Sequence, residues 1–276
     1  MTTTAMNETY INALLADASY QLFNVNDASG AALKSEASIK FTIAYRLTQP
    51  LANFITDNFE VVNQENASDG GFNATVWHGK SGTPYEGKTY VSMRGTQEFP
   101  IDGVDDVQLA TTGITYSQIT NMVNWWLRET TPAGQLTKQI GVFTIPVPGY
   151  PDVHHFVEAG SVSGTGKLQN VTFIDSINGH SLGGYLATSF ARLFGNQWPV
   201  TGLSTFNSAG FSNIQTANIN LEFNTILGIV GNNLGFSGFL SGQQTNCYAE
   251  NGINVTTNTW RPVGFNQIWQ RVEIFQ

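Results

Sequence analysis

At 276 residues the chain has room for one large α/β domain with a deep core rather than two ordinary ones. Charged residues make up 12% of it, about half the usual share, and Asn, Thr, Ser and Gly take their place, as is common in exported proteins. The formal charge of −8, without any Lys/Arg cluster, argues against a nucleic-acid partner and against a basic patch for anionic lipid.

The N-terminus carries neither a basic n-region nor an apolar h-region, so export would proceed without a cleaved signal peptide. Met6, Tyr10, Ile11, Leu14, Leu15, Ala18 and Leu22 recur at helical spacing and predict an amphipathic helix over 6–23. Ile39, Ile43 and Leu47 predict a second helix ending before Pro50, so residues 1–55 form a helical N-terminal part. Strand-like runs follow at 59–62, 72–78 and 90–94, each bounded by Gly, Asn or Asp. Ile119, Met122, Val123 and Trp126 mark a helix over 116–129, closed by Pro132. A strand at 171–177, a helix at 182–194 and strands at 202–207, 247–250 and 271–275 complete the order. This alternation implies a mostly parallel central sheet flanked by helices, an α/β-hydrolase-like architecture, in a single domain over 1–276. Residues 226–240 are apolar but broken by four glycines. They are too short for a membrane span, and read as a loop with a short helix or as a lipid-facing wall near the active site. No other apolar run reaches membrane-spanning length, so the chain is not expected to be a transmembrane protein. The single cysteine, Cys247, excludes an internal disulfide and reads as a small core residue.

The densest chemical signal is Asn178-Gly179-His180-Ser181-Leu182-Gly183-Gly184, a G-x-S-x-G between a predicted strand and a predicted helix. A tight strand-to-helix turn of this kind lifts a serine hydroxyl clear of a sheet, and flanking glycines let the backbone pass. Ser181 is therefore the candidate nucleophile, and the Leu182 N–H, at the start of the following helix, is one oxyanion donor. A merely structural glycine-rich turn is the alternative. A second donor is expected on a loop after an earlier strand, and Tyr90-Val91-Ser92-Met93-Arg94-Gly95-Thr96 supplies one ending in Arg-Gly-Thr. The run Gly164-Thr165-Gly166-Lys167 is no phosphate loop, because Leu168 stands where Ser or Thr is required.

An Arg-Gly-Thr after an apolar strand, followed much later by Gly-His-Ser-Leu-Gly-Gly, resembles the class 3 (fungal-type) lipases. Their bacterial relatives include secreted phospholipases A1 and RTX-type lipases. Val153-His154 and Leu203-Ser204-Thr205-Phe206-Asn207-Ser208-Ala209-Gly210 match two further points of the pattern, in the right order. The resemblance covers residues 85–275 and is closest to the phospholipase A1 group through Val104-Asp105-Asp106-Val107 and residues 248–255. It implies that Thr96 is the second oxyanion donor and that a lid lies near 101–107. It places the triad acid around 248–252, where Glu250 is the one carboxylate; a surface charge at a strand end is the alternative. The implied substrate is a lipid ester at a membrane or micelle interface, with a phospholipid cleaved at sn-1 preferred over a triacylglycerol or simple ester. No cofactor is needed for that chemistry. Calcium at Asp105 and Asp106 stays open against a solvated lid face.

The departure lies in the base. The family places its histidine after the acid, yet His78, His154, His155 and His180 all precede Ser181. His180 reads as a packing residue that points away from the nucleophile, His154 as structural, and His78 and His155 as ordinary surface or core. The resemblance leads to the expectation that the segment bearing the histidine is missing, or that an earlier histidine has been recruited. Without a base the chain would be a catalytically impaired relative that binds lipid or a partner.

Overall fold

The computed structural model describes residues 3–24, 33–66, 71–95, 114–208, 211–212, 216–232, 235, 244–249, 265–266 and 270–274. It opens with three helices, α1 (Thr3–Ala18), α2 (Glu36–Ala44) and α3 (Gln49–Asn58). The spacing of apolar residues in α1 does bury Ile11, Leu14, Leu15 and Ala18, but Tyr10 is 52% exposed and the helix stops at Ala18 rather than at 23. Pro50 does not merely end a helix. It sits in the first turn of α3, where a missing N–H costs nothing, and α3 itself was not anticipated.

Three strands follow, β1 (Phe59–Asn66), β2 (Asn73–Gly79) and β3 (Thr89–Met93), then α4 (Tyr116–Thr130). Next comes a hairpin that the sequence did not announce, β4 (Leu136–Ile145) and β5 (Val153–Ser163), with Val153-His154 at the start of β5. The remaining elements are β6 (Ile174–His180), α5 (Leu182–Phe194), β7 (Val200–Phe206), β8 (Phe211–Ser212) and α6 (Thr216–Val230), then β9 (Gln244–Ala249), β10 (Phe265–Asn266) and β11 (Gln270–Ile274).

Seven of these strands form one sheet in the order β1-β2-β3-β6-β7-β9-β11. The β1–β2 and β2–β3 pairs are antiparallel, and every pair from β3 to β11 is parallel. The fold is thus mixed α/β with a mostly parallel central sheet and flanking helices. Strand alternation divides the sheet's side chains between two cores. Val76 and Val91 face a cluster with α4, α5 and α6, while their neighbours Trp77 and Tyr90 face the cluster built by α1, α2 and α3. Trp77 can be buried because its indole N–H donates to Ser92 Oγ at 3.0 Å.

The apolar run at 226–240 falls partly within the described residues. Its first five residues belong to α6, where Ile226 and Leu227 are buried in the core. Residues 233–234 and 236–240 lie outside the described residues. Among the described residues, no helix is long and apolar enough to cross a membrane.

Candidate active site

Ser181 stands between the last residue of β6 and the first of α5, with φ 56° and ψ −127°. For a residue bearing a Cβ this region is sparsely populated and costs on the order of 1–3 kcal/mol, so the surroundings must hold it there. They do so with backbone. Ser181 N–H donates to Phe206 O at 2.9 Å, at the end of the adjacent β7, and Ser181 O accepts from Gly184 N–H at 3.0 Å. The glycine spacing follows from the same crowding. A Cβ on Gly179 would overlap the Gly183 carbonyl, and a Cβ on Gly183 would overlap the Met93 carbonyl and crowd Gly95 N. Gly, x, Ser, x, Gly is therefore the pattern that lets strand, helix and the end of β3 meet at one point.

That meeting point is chemically useful. The side chain of Ser181 is half-buried, at the N-terminal end of α5. Leu182 is buried, and among the described residues its N–H has no hydrogen-bond partner, which leaves it available to an anion favoured by the helix dipole. Gly95 lies against the turn: a Cβ placed on it would sit 3.2 Å from Ser181 Cβ and 2.7 Å from His180 O. The Arg94-Gly95 step thus runs alongside the nucleophile. Thr96 itself lies outside the described residues, and so does the 101–107 stretch with Asp105 and Asp106.

Glu250 is also outside them, but the strand leading to it is not. Register pairs His180 with Phe206 and Phe206 with Cys247, and Asn207 N–H donates to Cys247 O at 2.8 Å. The ends of β6, β7 and β9 therefore lie at the same edge of the sheet, the carboxyl ends of parallel strands, where α/β folds gather their ligands. Cys247 is buried, as its sequence reading had it.

His180 faces the other way. Its Nδ1 lies 2.9 Å from the hydroxyl of Tyr20, which follows α1, and the two rings meet edge to face. The Gly95 N–H is directed at the same phenol oxygen, so Tyr20 ties the end of β3 to the residue before the nucleophile. Arg46 lies 4.3 Å above the Tyr20 ring and is held there by Asp17 at 2.6 Å. Burial holds the His180 imidazole below its ordinary pKa, with Asp17 opposing the shift and Arg46 adding to it. A neutral ring accepting at Nδ1 from Tyr20 fits that environment. Sequence reasoning found His180 as a packing residue but missed Tyr20, a partner 160 positions away.

The other histidines are engaged elsewhere. His154 Nδ1 is 2.9 Å from Thr144 Oγ1, with its ring against Tyr116, and half-buried His78 lies 3.4 Å from Glu60. His155 has the most suggestive arrangement. Its Nδ1 is 2.8 Å from Oε1 of Glu222, a buried carboxylate on α6 whose second oxygen accepts from Phe156 N–H at 3.0 Å. Among the described residues, no hydrogen bond joins any of the four imidazoles to Ser181 Oγ.

A cavity of about 410 Å³ lies beside β1 and the end of α4, lined by Asn63, Glu65, Arg128, Glu129, Thr165 and Lys167 among others. Its buried carboxylate, Glu129, is already satisfied by Asn63, Thr165 and Arg128, so it reads as a structural polar knot. Among the described residues, no group of His, Cys, Asp and Glu is arranged to hold a metal ion. The chain matches no protein-family model and has no significant match among curated proteins.

Proposed function

We propose that the chain is a serine hydrolase of lipid carboxylic esters with an α/β-hydrolase-type architecture, acting as a phospholipase A1. One observation carries the reading: a non-glycine residue, Ser181, is forced to φ 56° between a strand and a helix, with Gly95 packed against it. A strained, half-exposed serine at a helix N-terminus is an arrangement that serves a nucleophile and does little for stability. In the proposed reaction Ser181 Oγ attacks the ester carbonyl. The Leu182 and Thr96 N–H groups hold the oxyanion, the lysolipid alcohol leaves with a proton, and water releases the fatty acid. Glu250 is the proposed orienting acid, with no residue assigned to the base. No cofactor takes part, and calcium near Asp105 and Asp106 belongs to the proposal only as a lid ligand.

A second reading has its own support. No imidazole among the described residues is bonded to Ser181, which favours a relative that binds lipid without rapid turnover. Loss of a triad member leaves a residual acceleration of roughly 10³–10⁴ over water. A serine-directed fluorophosphonate separates the two: labelling at Ser181, abolished by Ser181→Ala, supports the hydrolase, and a folded but unlabelled protein supports the binder. Fatty-acid release from phosphatidylcholine vesicles exceeding that from tributyrin supports phospholipid as the substrate, and the reverse order supports a triacylglycerol lipase or carboxylesterase.

A further inference from the structure

The β4–β5 hairpin forms a sheet of its own, held at its middle and free at its turn end. The middle is clamped. Asn124 on α4 takes both backbone groups of Ile140, donating to its carbonyl at 2.9 Å and accepting from its N–H at 2.8 Å. Phe156 is buried against Tyr116 with ring centroids 4.8 Å apart, and Glu222 holds its N–H. The outer end carries apolar side chains into solvent. Phe143, Ile145, Tyr150 and Val153 are 56%, 42%, 76% and 42% exposed. Register pairs Ile145 with Val153, and Phe143 lies two positions from Ile145, so these three share one face.

Charge is the second observation. Between Gln139 and Val157 the sole formal charge is Asp152. The nearest others, Lys138 and Glu158, pair at 3.1 Å across the hairpin. A solvent-facing ribbon normally alternates apolar with polar residues, and a clamped apolar one marks an interaction surface.

We propose that the outer half of this hairpin is an anchor that inserts into a neutral or zwitterionic lipid surface. The proposal rests on the lipid-ester reading and supplies the surface that brings Ser181 to its substrate. Anionic lipid is disfavoured, because the outer half of the hairpin carries no Lys or Arg and the chain carries a net charge of −8. Tyr150 at the turn and Phe143 below it suit the boundary between headgroups and acyl chains. From Ile140 to Ile145 the strand extends about 16 Å, enough for an insertion of about 5–10 Å. Edge pairing with a second copy fits less well, because Pro146, Pro148 and Pro151 remove N–H donors at the exposed end. The anchor is mechanically joined to the elbow. Tyr116, which packs under the hairpin, follows Thr115, whose backbone bonds Tyr185 one turn after Ser181.

The test is flotation with phosphatidylcholine vesicles of the full chain and of a Phe143→Ser/Tyr150→Ser variant, with folding checked by circular dichroism. The parent is expected to float with vesicles at low and high salt alike, and the variant to bind at least about tenfold more weakly. Labelling of Ser181 by a soluble fluorophosphonate is expected to be the same in both. Undiminished flotation of the variant, or a parent that does not bind, overturns the anchor. So does a parent dimer that the variant breaks without change in vesicle binding, which assigns the face to a second copy. Vesicle binding through the hairpin without ester hydrolysis upholds the anchor and sinks the esterase reading. Hydrolysis with hairpin-independent binding does the reverse.

Discussion

Adding one methyl group at Gly183 tests the geometry of the candidate site, because its effect on stability is set against a helix-propensity gain of opposite sign. In α5 an alanine would ordinarily favour the helix over glycine by about 1 kcal/mol. Here its Cβ would run into the Met93 carbonyl, Arg94 C and Gly95 N, all backbone atoms that cannot rotate aside. Overpacking of this kind costs about 1–3 kcal/mol, and a backbone-only obstacle belongs at or beyond the top of that range. The net expectation for Gly183→Ala is a loss of about 2 kcal/mol, read as a fall in Tm of about 4–8 °C. The same shift pushes Gly95 away from Ser181 by a fraction of an ångström to about 1 Å, enough to slow fluorophosphonate labelling about a hundredfold. Gly228 on α6 is the control, since a Cβ there meets nothing within 4 Å and its φ is not positive. Gly228→Ala should raise stability by about 0.4–1 kcal/mol and leave labelling unchanged. Urea melts and labelling kinetics on the two variants decide the matter. A Gly183→Ala protein as stable and as quickly labelled as the parent would refute the packing argument.

Tyr20→Phe removes the hydroxyl shared by His180 Nδ1 and the Gly95 N–H, and should cost about 1–3 kcal/mol together with slower labelling of Ser181; unchanged melts and labelling would count against the link. The folded-state pKa of His180 is lowered, so below pH 6.5 the unfolded chain takes up a proton that the folded one refuses. Stability is therefore full above that value and declines as pH falls towards the depressed folded pKa, and urea midpoints that stay flat across this window would contradict the assignment. Glu222→Ala leaves Phe156 N–H without its acceptor and loosens α6 from the hairpin, at about 1–3 kcal/mol, with hydrogen exchange at Phe156 as the local readout. His155→Ala should leave Ser181 labelling unchanged; a loss of labelling would instead make His155 a recruited base, oriented by Glu222.

What the sequence disclosed follows from how local each signal is. The 182–194 helix and the strands beside it were legible because apolar period and turn residues sit within one short window, and the observed α5 has those bounds. The elbow was legible for the same reason, its glycines being demanded by contacts that follow from the turn itself. The β4–β5 hairpin escaped because much of both its faces is exposed, so no apolar alternation marks it, and Pro146, Pro148 and Pro151 read as loop. Helix α6 escaped because Gly228 and Gly231 broke the pattern at its end. Pro50 was read as a stop when its position made it a start. Tyr20 with His180 and His155 with Glu222 join residues 160 and 67 positions apart, and no spacing rule reaches that far. Thr96 and Glu250, named by resemblance, keep that standing, while the segment after β3 runs beside Ser181 and β9 ends two strands away at the same edge of the sheet.

The central claim is that a hydroxyl held in an unfavourable backbone conformation is there to react. Mass spectrometry of the protein after exposure to a fluorophosphonate addresses it most directly. One adduct is expected, on the peptide containing Ser181, and none on Ser181→Ala or on heat-unfolded protein. A correctly folded chain that stays unmodified, or is modified elsewhere, would contradict it.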